Sequence, residues 1–597
     1  MNAHRITVEH TLYTLALLVA LLTRLLNLGS TPLSDSEAGQ ALQAWQVAVG
    51  QPADVGPQSA YVVLTGGLFM LLGSSEALAR LWPALAGALL VLTPFLFRRL
   101  LGNKAALLLA FGLALDPWLV AMSRVADGPM MALGFGLFGL GLAFVWLPSL
   151  AGIFIGLALL CGLPAVPGLL GLTLAWLAGR LLARGRPLFP GNGTQASDAE
   201  PNDRQFAWKT VLLSVGFTLL LVGTMFGRLP NGLNGWIESL PIYLVGWTRF
   251  SGLPALRLMV AIPSYQPLGL LFGLAAVAGA WLPSEREIGS RIAVLRWISL
   301  WWIIALVLAA FYPSRQPGDL VWTVIPLWCL AAVWLSNFTH LNREACLVSL
   351  GQAALIFTLL VVTWLNLAAG GFILPGLQAN LVRLATLAGL LSLAGLTTLL
   401  VALGWSWDSA RRGLVWGLTA SLGLYVLANT WTIPRINADQ WRPARQELWS
   451  TLPIPGDADL FVSTLGDLAE WSTGRRDGID IVVAVDSPSL HWVLRDFPRV
   501  RYVEEGEINS ITGGLASGEL PSILVTRLSG QAPQLSAAYR GQDFSWWSLP
   551  DLNSALPPDY LHWIVFRDTP VTSEQIVLWA RSDLFLGDSL VSPEGTE

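Results

Sequence analysis

The sequence predicts a polytopic α-helical membrane protein with about thirteen spans and a C-terminal extracytoplasmic α/β domain. Of the 597 residues, 54% are hydrophobic and only 12% are charged, whereas soluble domains carry roughly 25% charged residues. Apolar segments close to span length recur from residue 10 to residue 431. The charge then changes sign, because residues 1–434 carry a net charge of +7 and residues 435–597 a net charge of −11.

This change in composition predicts two domains. Residues 1–434 form the membrane domain, and residues 435–597 form a water-facing domain whose acidity argues against nucleic acid as a partner. The three cysteines all lie in apolar segments, so neither a disulfide framework nor a metal-binding spacing is predicted. The first apolar run lacks a small-residue cleavage site, so we interpret it as a retained span.

The spans follow the apolar segments in order, beginning with residues 10–28. The first outer loop, residues 29–78, contains no Lys or Arg and includes two predicted helices, over 36–49 and 60–73. The second helix is shorter than the roughly 20 residues that a span needs, so it is predicted to be interfacial. The remaining spans are predicted at about 79–97, 104–122, 129–147, 150–163, 165–179, 208–226, 266–283, 296–312, 320–337, 346–367, 382–404 and 413–431.

The basic residues of the loops predict the orientation. With a cytoplasmic N-terminus, fifteen Lys and Arg residues fall in inner loops and seven on the outer side, as the positive-inside rule requires. An odd number of spans then places the acidic domain outside the plasma membrane. The polar segment 186–207 becomes an inner loop. The outer loop 227–265, rich in Gly, Pro, Trp and Tyr, either covers a substrate groove or forms an interfacial aromatic belt.

Short β-type runs alternate with helical segments after Pro434. The predicted elements are strands beginning at Leu460, Ile479, Val500 and Ile523 and helices over 466–473 and 488–497. This alternation is typical of a small α/β domain with a mainly parallel sheet. The glycine-rich signatures of nucleotide-binding loops are absent from the sequence, so no nucleotide site is predicted.

Three polar turns are predicted on the outer face. The first polar turn (33–38) carries Asp35 and Glu37, the second (123–129) carries Arg124 and Asp127, and the third (312–319) carries Arg315. Carboxylates can accept a proton from a hydroxyl or hold a cation, and a guanidinium can bind a phosphate through two hydrogen bonds. Transfer from a lipid phosphate needs both, namely a base for the acceptor and a cation for the departing phosphate.

Each of these groups also has a structural interpretation. Asp35 and Glu37 can stabilise the helix over 36–49 through its dipole, a role that is compatible with catalysis. Asp127 precedes Gly-Pro and can form a turn, and Arg315 can extend along the membrane interface towards water. The five His residues do not cluster, which argues against a His-based metal or nucleophile site.

The order of these features resembles the GT-C membrane glycosyltransferases, especially the protein O-mannosyltransferase and aminoarabinose transferase groups. The shared order is a first span, an acidic loop with interfacial helices, the basic turn Phe97-Arg98-Arg99 and Ser-Arg-x-x-Asp at an outer turn. Tyr312–Pro326 is similar to the outer loop and helix that hold the lipid phosphate in that family. The segments that resemble the flippase-associated GT-C group are His491–Phe497, Trp546-Trp547 and Trp563–Arg567.

The resemblance implies an inverting glycosyltransferase that moves a sugar from a polyprenyl-phosphate donor to a glycan, lipid or protein acceptor on the outer face. Glu37 and Asp127 match family acids by position. We assign Asp35 or Glu37 as the base, Asp127 to orienting the acceptor or a divalent cation, and Arg315 with Arg124 to the phosphate. No other cofactor is predicted.

The sequence departs from the family pattern at two places. Family members have adjacent Asp-Glu before Ala, whereas Ser36 precedes Glu37 here and Asp35 is shifted by one residue. The family's Thr-Lys-Gly-Pro becomes Cys161-Gly162-Leu163-Pro164, without the lysine. Two alternatives therefore stay open. One is a catalytically inactive GT-C-like subunit that binds lipid-linked glycan or a partner protein, and the other is a lipid-glycan transporter or flippase.

Overall fold

A computed structural model describes most of the chain as a helical body followed by a five-stranded sheet. The described residues are 7–53, 55–182, 201–282, 290–339, 343–373, 377–433, 447–450, 456–504, 520–528, 537–550, 556–567 and 569–585. The predicted inner loop 186–207 lies mostly outside them, and so does the predicted domain boundary after Pro434, which therefore stays a prediction.

Twenty-one helices form the described part of the body. They are α1 (Val8–Leu25), α2 (Asp35–Val49), α3 (Ser59–Leu72), α4 (Glu76–Ala79), α5 (Leu81–Leu90), α6 (Thr93–Leu96), α7 (Arg98–Leu101), α8 (Asn103–Leu115), α9 (Pro117–Ser123), α10 (Pro129–Phe144), α11 (Pro148–Leu160), α12 (Ala165–Leu182), α13 (Pro201–Gly223), α14 (Asn231–Gly246), α15 (Ala255–Tyr265), α16 (Pro267–Trp281), α17 (Ser290–Phe311), α18 (Val321–Leu335), α19 (Arg343–Ile373), α20 (Leu377–Gly404) and α21 (Trp407–Thr432).

Many of these helices are suited to crossing a membrane. Among the described residues seven are long and apolar enough, and two bent pairs, α8 with α9 (56°) and α15 with α16 (95°), raise the number to nine. Shorter apolar helices cover four further predicted spans, at Leu81–Leu96, Pro129–Phe144, Pro148–Leu160 and Trp208–Gly223. The prediction of a polytopic helical body is confirmed, and the count of about thirteen spans stays a prediction.

The first outer loop folds as the sequence predicts. Helix α2 begins at Asp35 because the Ser34 N–H donates to the Glu37 carboxylate across the first turn, as in a capping box. It ends at Gly50, whose φ of 75° lies in the left-handed region that glycine adopts readily. Helix α3 packs against α2. Both helices lie within one residue of their predicted bounds.

The C-terminal sheet is mixed rather than mainly parallel. Its order is β2 (Val500–Tyr502), β1 (Ile481–Val483), β3 (Ile523–Arg527), β5 (Val571–Arg581) and β4 (Tyr539–Pro550). The pairs β1–β2 and β1–β3 are parallel, with Ile481 opposite both Val500 and Ile523. The pairs β3–β5 and β4–β5 are antiparallel.

Helices α22 (Ala458–Thr473), α23 (Pro488–Val493) and α24 (Tyr560–Phe566) accompany the sheet. The strand predicted at Leu460 is wrong, because this segment lies in α22. Helix α23 packs on α2 and α24 packs on α19, so the sheet is docked on the end of the body that carries α2. The Trp492 indole N–H strengthens this docking by donating to Glu76 Oε1 at 2.9 Å.

Candidate functional site

The first polar turn contains a buried ion pair between Glu37 and Arg80. Arg80 Nε donates to Glu37 Oε1 at 2.8 Å and Nη2 donates to Oε2 at 3.1 Å, and both side chains are buried. Both Glu37 oxygens accept further hydrogen bonds, from the Ala126 N–H at 2.9 Å and from the N–H and hydroxyl of Ser34. Arg80 also donates to the carbonyl oxygens of Leu28, Thr31 and Pro32.

The bond from Ala126 joins the second polar turn to the first and places Asp127 beside Glu37. Asp127 Oδ1 accepts from Gln58 Nε2 and from the Gly128 N–H, both at 2.7 Å. Gln58 Oε1 accepts from the same Gly128 N–H at 2.9 Å, which ties the start of α3 to this turn. Asp127 Oδ2 has no hydrogen-bond partner among the described residues, and the side chain is half-buried.

The third polar turn lies against the second. A Cβ on Gly318 would be only 2.5 Å from Cγ of Pro129, so glycine permits this approach. Asp319 accepts from the Gln316 N–H at 2.9 Å, and its carboxyl group is close enough to interact electrostatically with Asp127 and Arg315. The three polar turns therefore meet at the sheet-bearing end of the body.

Arg315 is buried, and its hydrogen bonds leave part of the guanidinium unused. Its Nη1 donates to the Leu253 carbonyl oxygen at 2.7 Å, and the guanidinium lies over the Phe250 ring at 5.7 Å. Its Nε is buried without a hydrogen-bond partner in the described part of the chain. A buried donor without a partner costs free energy, so an anion bound here would stabilise this side chain.

The environment of Arg124 differs from that of an arginine that is free to bind a phosphate. Its Nη1 donates to the carbonyl oxygens of Thr23, Arg24 and Leu26, and its Nη2 to that of Asn27. These carbonyls lie at the C-terminal end of α1, where a cation is favoured by the helix dipole. The geometry thus gives Arg124 the role of a helix cap, which competes with the predicted phosphate role.

Asp35 points away from the other two acids and towards the C-terminal sheet. Its Oδ1 accepts from the Ser487 hydroxyl at 2.7 Å and from the Ser489 N–H at 3.0 Å. Its Oδ2 accepts from the Trp547 indole N–H at 2.9 Å. The structure therefore binds Asp35 to the C-terminal sheet, whereas Glu37 binds Arg80 and the turn that carries Asp127. These contacts give Asp35 a docking role, and its assignment as a base stays a prediction.

The pKa values distinguish the three carboxyl groups. Burial alone would raise the pKa of Glu37, but the Arg80 charge and the hydrogen bonds outweigh it, so the pKa lies below its ordinary value. The pKa of Asp35 is also lowered, since the hydrogen bonds from Ser487, Ser489 and Trp547 outweigh burial. Burial raises the pKa of Asp127, and the nearby Glu37 charge adds to this effect.

The predicted divalent cation finds no ready set of ligands. Within the described ranges, no group of three or more His, Cys, Asp and Glu side chains is arranged to hold a metal ion. Asp127 Oδ2 with Asp319 would offer two carboxylates, and Mg²⁺ is commonly held by one or two carboxylates together with water and substrate phosphate oxygens. The divalent cation therefore stays a prediction.

Sequence reasoning gave no role to three residues that shape this site, namely Arg80, Gln58 and Asp319. For Arg80 the available signal was its positive charge on the predicted outer side, where Asp35, Glu37 and Asp127 were also predicted. Gln58 carried none, because an amide before a helix is common. Asp319 stood in the third polar turn, and its acid could have been grouped with Asp127.

Among the comparisons with known proteins, only the one with solved structures finds a similarity. No protein-family model matches the sequence, and no curated protein matches it. The structure is similar to ArnT from Cupriavidus metallidurans bound to undecaprenyl phosphate, with 16% identity and a TM-score of 0.51 over 96% of this chain and 98% of that chain. The apo state of that ArnT gives 15% identity and a TM-score of 0.48 over the same shares.

An Archaeoglobus fulgidus oligosaccharyltransferase, in complex with zinc and sulfate, is more distant. It gives 12% identity and a TM-score of 0.37 over 86% of this chain and 68% of that chain. At such identities a likeness shows the fold alone. The chain therefore shares the overall fold of ArnT over 96% of its length, which confirms the prediction of a polytopic helical protein with a C-terminal sheet region.

Proposed function

We propose that this protein transfers a sugar from a polyprenyl-phosphate donor to an acceptor hydroxyl at the outer membrane face. The observation that supports the proposal is the meeting of the three polar turns, in which Asp319 is close enough to interact electrostatically with both Asp127 and Arg315. A carboxylate and a partly unused guanidinium thus lie close together in a fold shared with a protein that binds undecaprenyl phosphate.

Asp127 is the residue best placed to act as the base. Its Oδ2 has no hydrogen-bond partner in the described part of the chain, and burial raises its pKa. Both properties favour proton acceptance from a hydroxyl. Glu37 and Asp35 have all their oxygens engaged and lowered pKa values, so they are poorer bases than the sequence suggested. Glu37 instead positions Asp127 through the Ala126 N–H.

Arg315 is suited to binding the phosphate of a lipid donor. The buried Arg315 Nε is an unsatisfied donor, which a phosphate oxygen would satisfy. Beside the third polar turn, a crevice is lined by Asp319, Tyr243, Tyr312 and Trp322. The crevice has a volume of only about 10 Å³, about enough for one water molecule. The stacked rings of Tyr243 and Tyr312, with centroids 4.6 Å apart, therefore form an aromatic surface beside the turn and not a groove for a lipid chain.

The proposed step conserves atoms and charge. Asp127 Oδ2 takes the proton of the acceptor hydroxyl, and the acceptor oxygen forms a bond to the anomeric carbon. The bond from that carbon to the phosphate oxygen breaks, and its electron pair leaves on the polyprenyl phosphate. Arg315 neutralises the charge that develops there. Attack opposite the leaving group inverts the anomeric configuration.

Transfer measured in proteoliposomes tests this proposal. A panel of polyprenyl-phosphate sugars is offered to the wild type and to Asp127→Asn, which keeps the shape of the side chain. We expect Asp127→Asn to lower kcat by about 10²–10⁴-fold, the usual contribution of a general base, with donor binding retained. The control is Asp408→Asn, an exposed acid in the first turn of α21 at the opposite end of the body. Undiminished transfer by Asp127→Asn would contradict the proposal.

A specific observation favours the catalytically inactive alternative. Ser36 stands where the GT-C pattern has an acid, and the neighbouring Glu37 is fully engaged by Arg80 and Ser34. If this alternative holds, native mass spectrometry of the purified wild type will show bound polyprenyl phosphate, while no donor of the panel is turned over.

A further inference from the structure

A second cleft lies in the C-terminal sheet, outside the carboxyl ends of its three parallel strands. It has a volume of about 560 Å³ and is lined by residues that follow β1 and end β2 and β3. This volume is in the range of small-molecule sites, roughly 300–1,000 Å³. In open α/β sheets ligands bind at this edge, next to the strand from which the chain crosses to both sides. Here that strand is β1, which pairs with β2 on one side and β3 on the other.

The polar side chains of the cleft make no hydrogen bond or ion pair with the described part of the chain. They are Asp486, His491, Tyr502, Glu504 and Arg527. Among the described residues none of these five side chains has a hydrogen-bond partner or an ion pair, although Arg527 lies over the Trp547 ring at 4.7 Å and His491 contacts the Tyr502 ring. Five unused polar groups around one concave surface indicate a ligand that supplies their partners.

We propose that this cleft binds a sugar unit of a glycan, and that it holds the acceptor for the transfer reaction. The inference rests on the proposed function. The two carboxylates of Asp486 and Glu504 can accept hydrogen bonds from neighbouring hydroxyls, and Arg527 can donate to a ring or hydroxyl oxygen. The rings of His491 and Tyr502 contact each other with centroids 3.8 Å apart and planes inclined by 38°, and they give the cleft an aromatic surface against which the C–H face of a sugar can pack.

The charge of the cleft selects among sugars. Burial lowers the pKa of His491 below its ordinary value, against the opposing charges of Asp486 and Asp35, and so disfavours a positive charge on its ring. The two carboxylates then exceed the single guanidinium of Arg527, and the cleft is negative. A phosphorylated or sulfated sugar is disfavoured by this charge, whereas a neutral sugar or an amino sugar is accepted.

One wall of the cleft, formed by His491, lies close to the first polar turn. His491 belongs to α23, which packs on α2 and carries the residues that hold Asp35. His491 is close enough to Asp35 to feel its charge. Since Glu37 is less than one helical turn from Asp35, a glycan in the cleft is near the turn that carries Asp127, where its end can accept the sugar.

A glycan array probed with the labelled full-length protein in nanodiscs tests the inference. The array carries neutral, amino and phosphorylated oligosaccharides. We expect binding to a neutral or amino-sugar glycan, and at least tenfold weaker binding by the Asp486→Asn/Glu504→Gln double variant, as expected for the loss of hydrogen bonds to charged groups. Both residues are exposed, so the isosteric amides leave folding intact, which the thermal unfolding midpoint verifies. Arg527→Gln is a second, independent variant with the same expected loss.

The matched control is Asp467→Asn/Glu470→Gln. These two exposed acids of α22 pair with Arg476, which precedes β1 and therefore lies at the opposite end of the strands. The control must bind like the wild type. Binding that survives in Asp486→Asn/Glu504→Gln, binding of phosphorylated glycans only, or no glycan binding by the wild type would each overturn the inference. Donor binding, measured separately by native mass spectrometry, reports on the proposed function and is independent of the cleft.

Discussion

The acids at this site differ in how many of their oxygen atoms the protein already uses. Glu37 and Asp35 are fully engaged, whereas Asp127 keeps one oxygen without a partner in the described part of the chain. The sequence placed all three on one membrane face, since this follows from the spans. It could not show which acid is engaged, because Arg80 and Ser487 lie 43 and 452 residues away along the chain.

Glu37→Gln tests the buried ion pair at the residue scale. The substitution leaves the buried Arg80 without its counter-charge, and breaking such a pair typically costs about 3–5 kcal/mol. We therefore expect a clearly lower unfolding temperature in detergent. Because the pKa of Glu37 is lowered in the folded protein, this stabilisation is present above the ordinary Glu pKa of about 4.3 and is lost as the pH falls below it.

Glu9→Gln is the matched control. Glu9 pairs with Arg98 at 3.9 Å, and both side chains are partly exposed, so removing this charge should change stability by less than about 1 kcal/mol. If Glu37→Gln unfolds at the wild-type temperature, the carbonyl oxygens around Arg80 suffice to stabilise it, and the ion pair contributes nothing.

At the scale of elements, the contact between the third polar turn and the start of α10 sets the distance from Arg315 to Asp127. In Gly318→Ala, the new Cβ would be 2.5 Å from Pro129 Cγ and 2.9 Å from its Cβ. A proline ring cannot rotate away, so the turn must move. Displacement by about 1 Å can cost 10²-fold in rate, and we expect a loss of kcat/KM of about that size in the transfer assay.

Gly67→Ala provides the comparison for Gly318→Ala. A Cβ on Gly67 of α3 would meet no atom within 4 Å, and alanine favours a helix by roughly 0.5–1 kcal/mol over glycine. Transfer by Gly67→Ala should equal that of the wild type. Equal transfer by Gly318→Ala would show that the approach of the two turns does not matter to the reaction.

Helices and strands were predictable from the sequence where the hydrophobic residues recur with a single period, either that of a helix or that of a strand. Helices α2 and α3 follow their apolar pattern closely. Leu460 was assigned to a strand because a five-residue window contains β-type residues, whereas the buried positions Phe461, Leu465 and Leu468 repeat with the period of a helix. The antiparallel pair of β4 and β5 was not predicted, because both strands contain exposed polar stretches whose composition is typical of loops.

The whole molecule depends on how the C-terminal sheet docks on the helical body, and Asp35 is central to that contact. In Asp35→Asn one of the two acceptor oxygens becomes an amide nitrogen, which donates and cannot accept. Either the hydrogen bond from Trp547 or the pair from Ser487 and Ser489 is therefore lost. We expect faster hydrogen–deuterium exchange of α23, measured by mass spectrometry at pH 7. Asp496→Asn, an exposed acid just after α23, is the control and should exchange like the wild type.

The same contact depends on pH. Hydrogen bonds outweigh burial and lower the pKa of Asp35. The contribution of the Asp35 carboxylate to docking is therefore complete above the ordinary Asp pKa of about 3.9 and is lost as the pH falls through the lowered pKa. The wild type should therefore approach Asp35→Asn in acid, after correction for the intrinsic exchange rate. A difference between the two that grows on acidification would contradict this assignment.

The orientation of the molecule decides which compartment the site faces. Glu9, near the start of α1, pairs with Arg98 of the basic turn, whereas the sheet docks beyond the other end of α1. Helix α1 has 18 residues, which is about 27 Å and close to the thickness of the hydrocarbon core. We therefore expect the basic turn and the sheet to lie on opposite sides of the membrane, and the positive-inside rule predicts that the sheet is on the outer side.

Single-cysteine labelling tests this orientation. In a Cys346→Ser background, with Cys161 and Cys329 buried, Asp496→Cys reports on the sheet and Arg99→Cys on the basic turn, and both positions are exposed. A membrane-impermeant maleimide should label Asp496→Cys in intact spheroplasts and Arg99→Cys only after permeabilisation. The reverse pattern would place Asp127 and Arg315 in the cytoplasm, where the proposed transfer at the outer face could not occur.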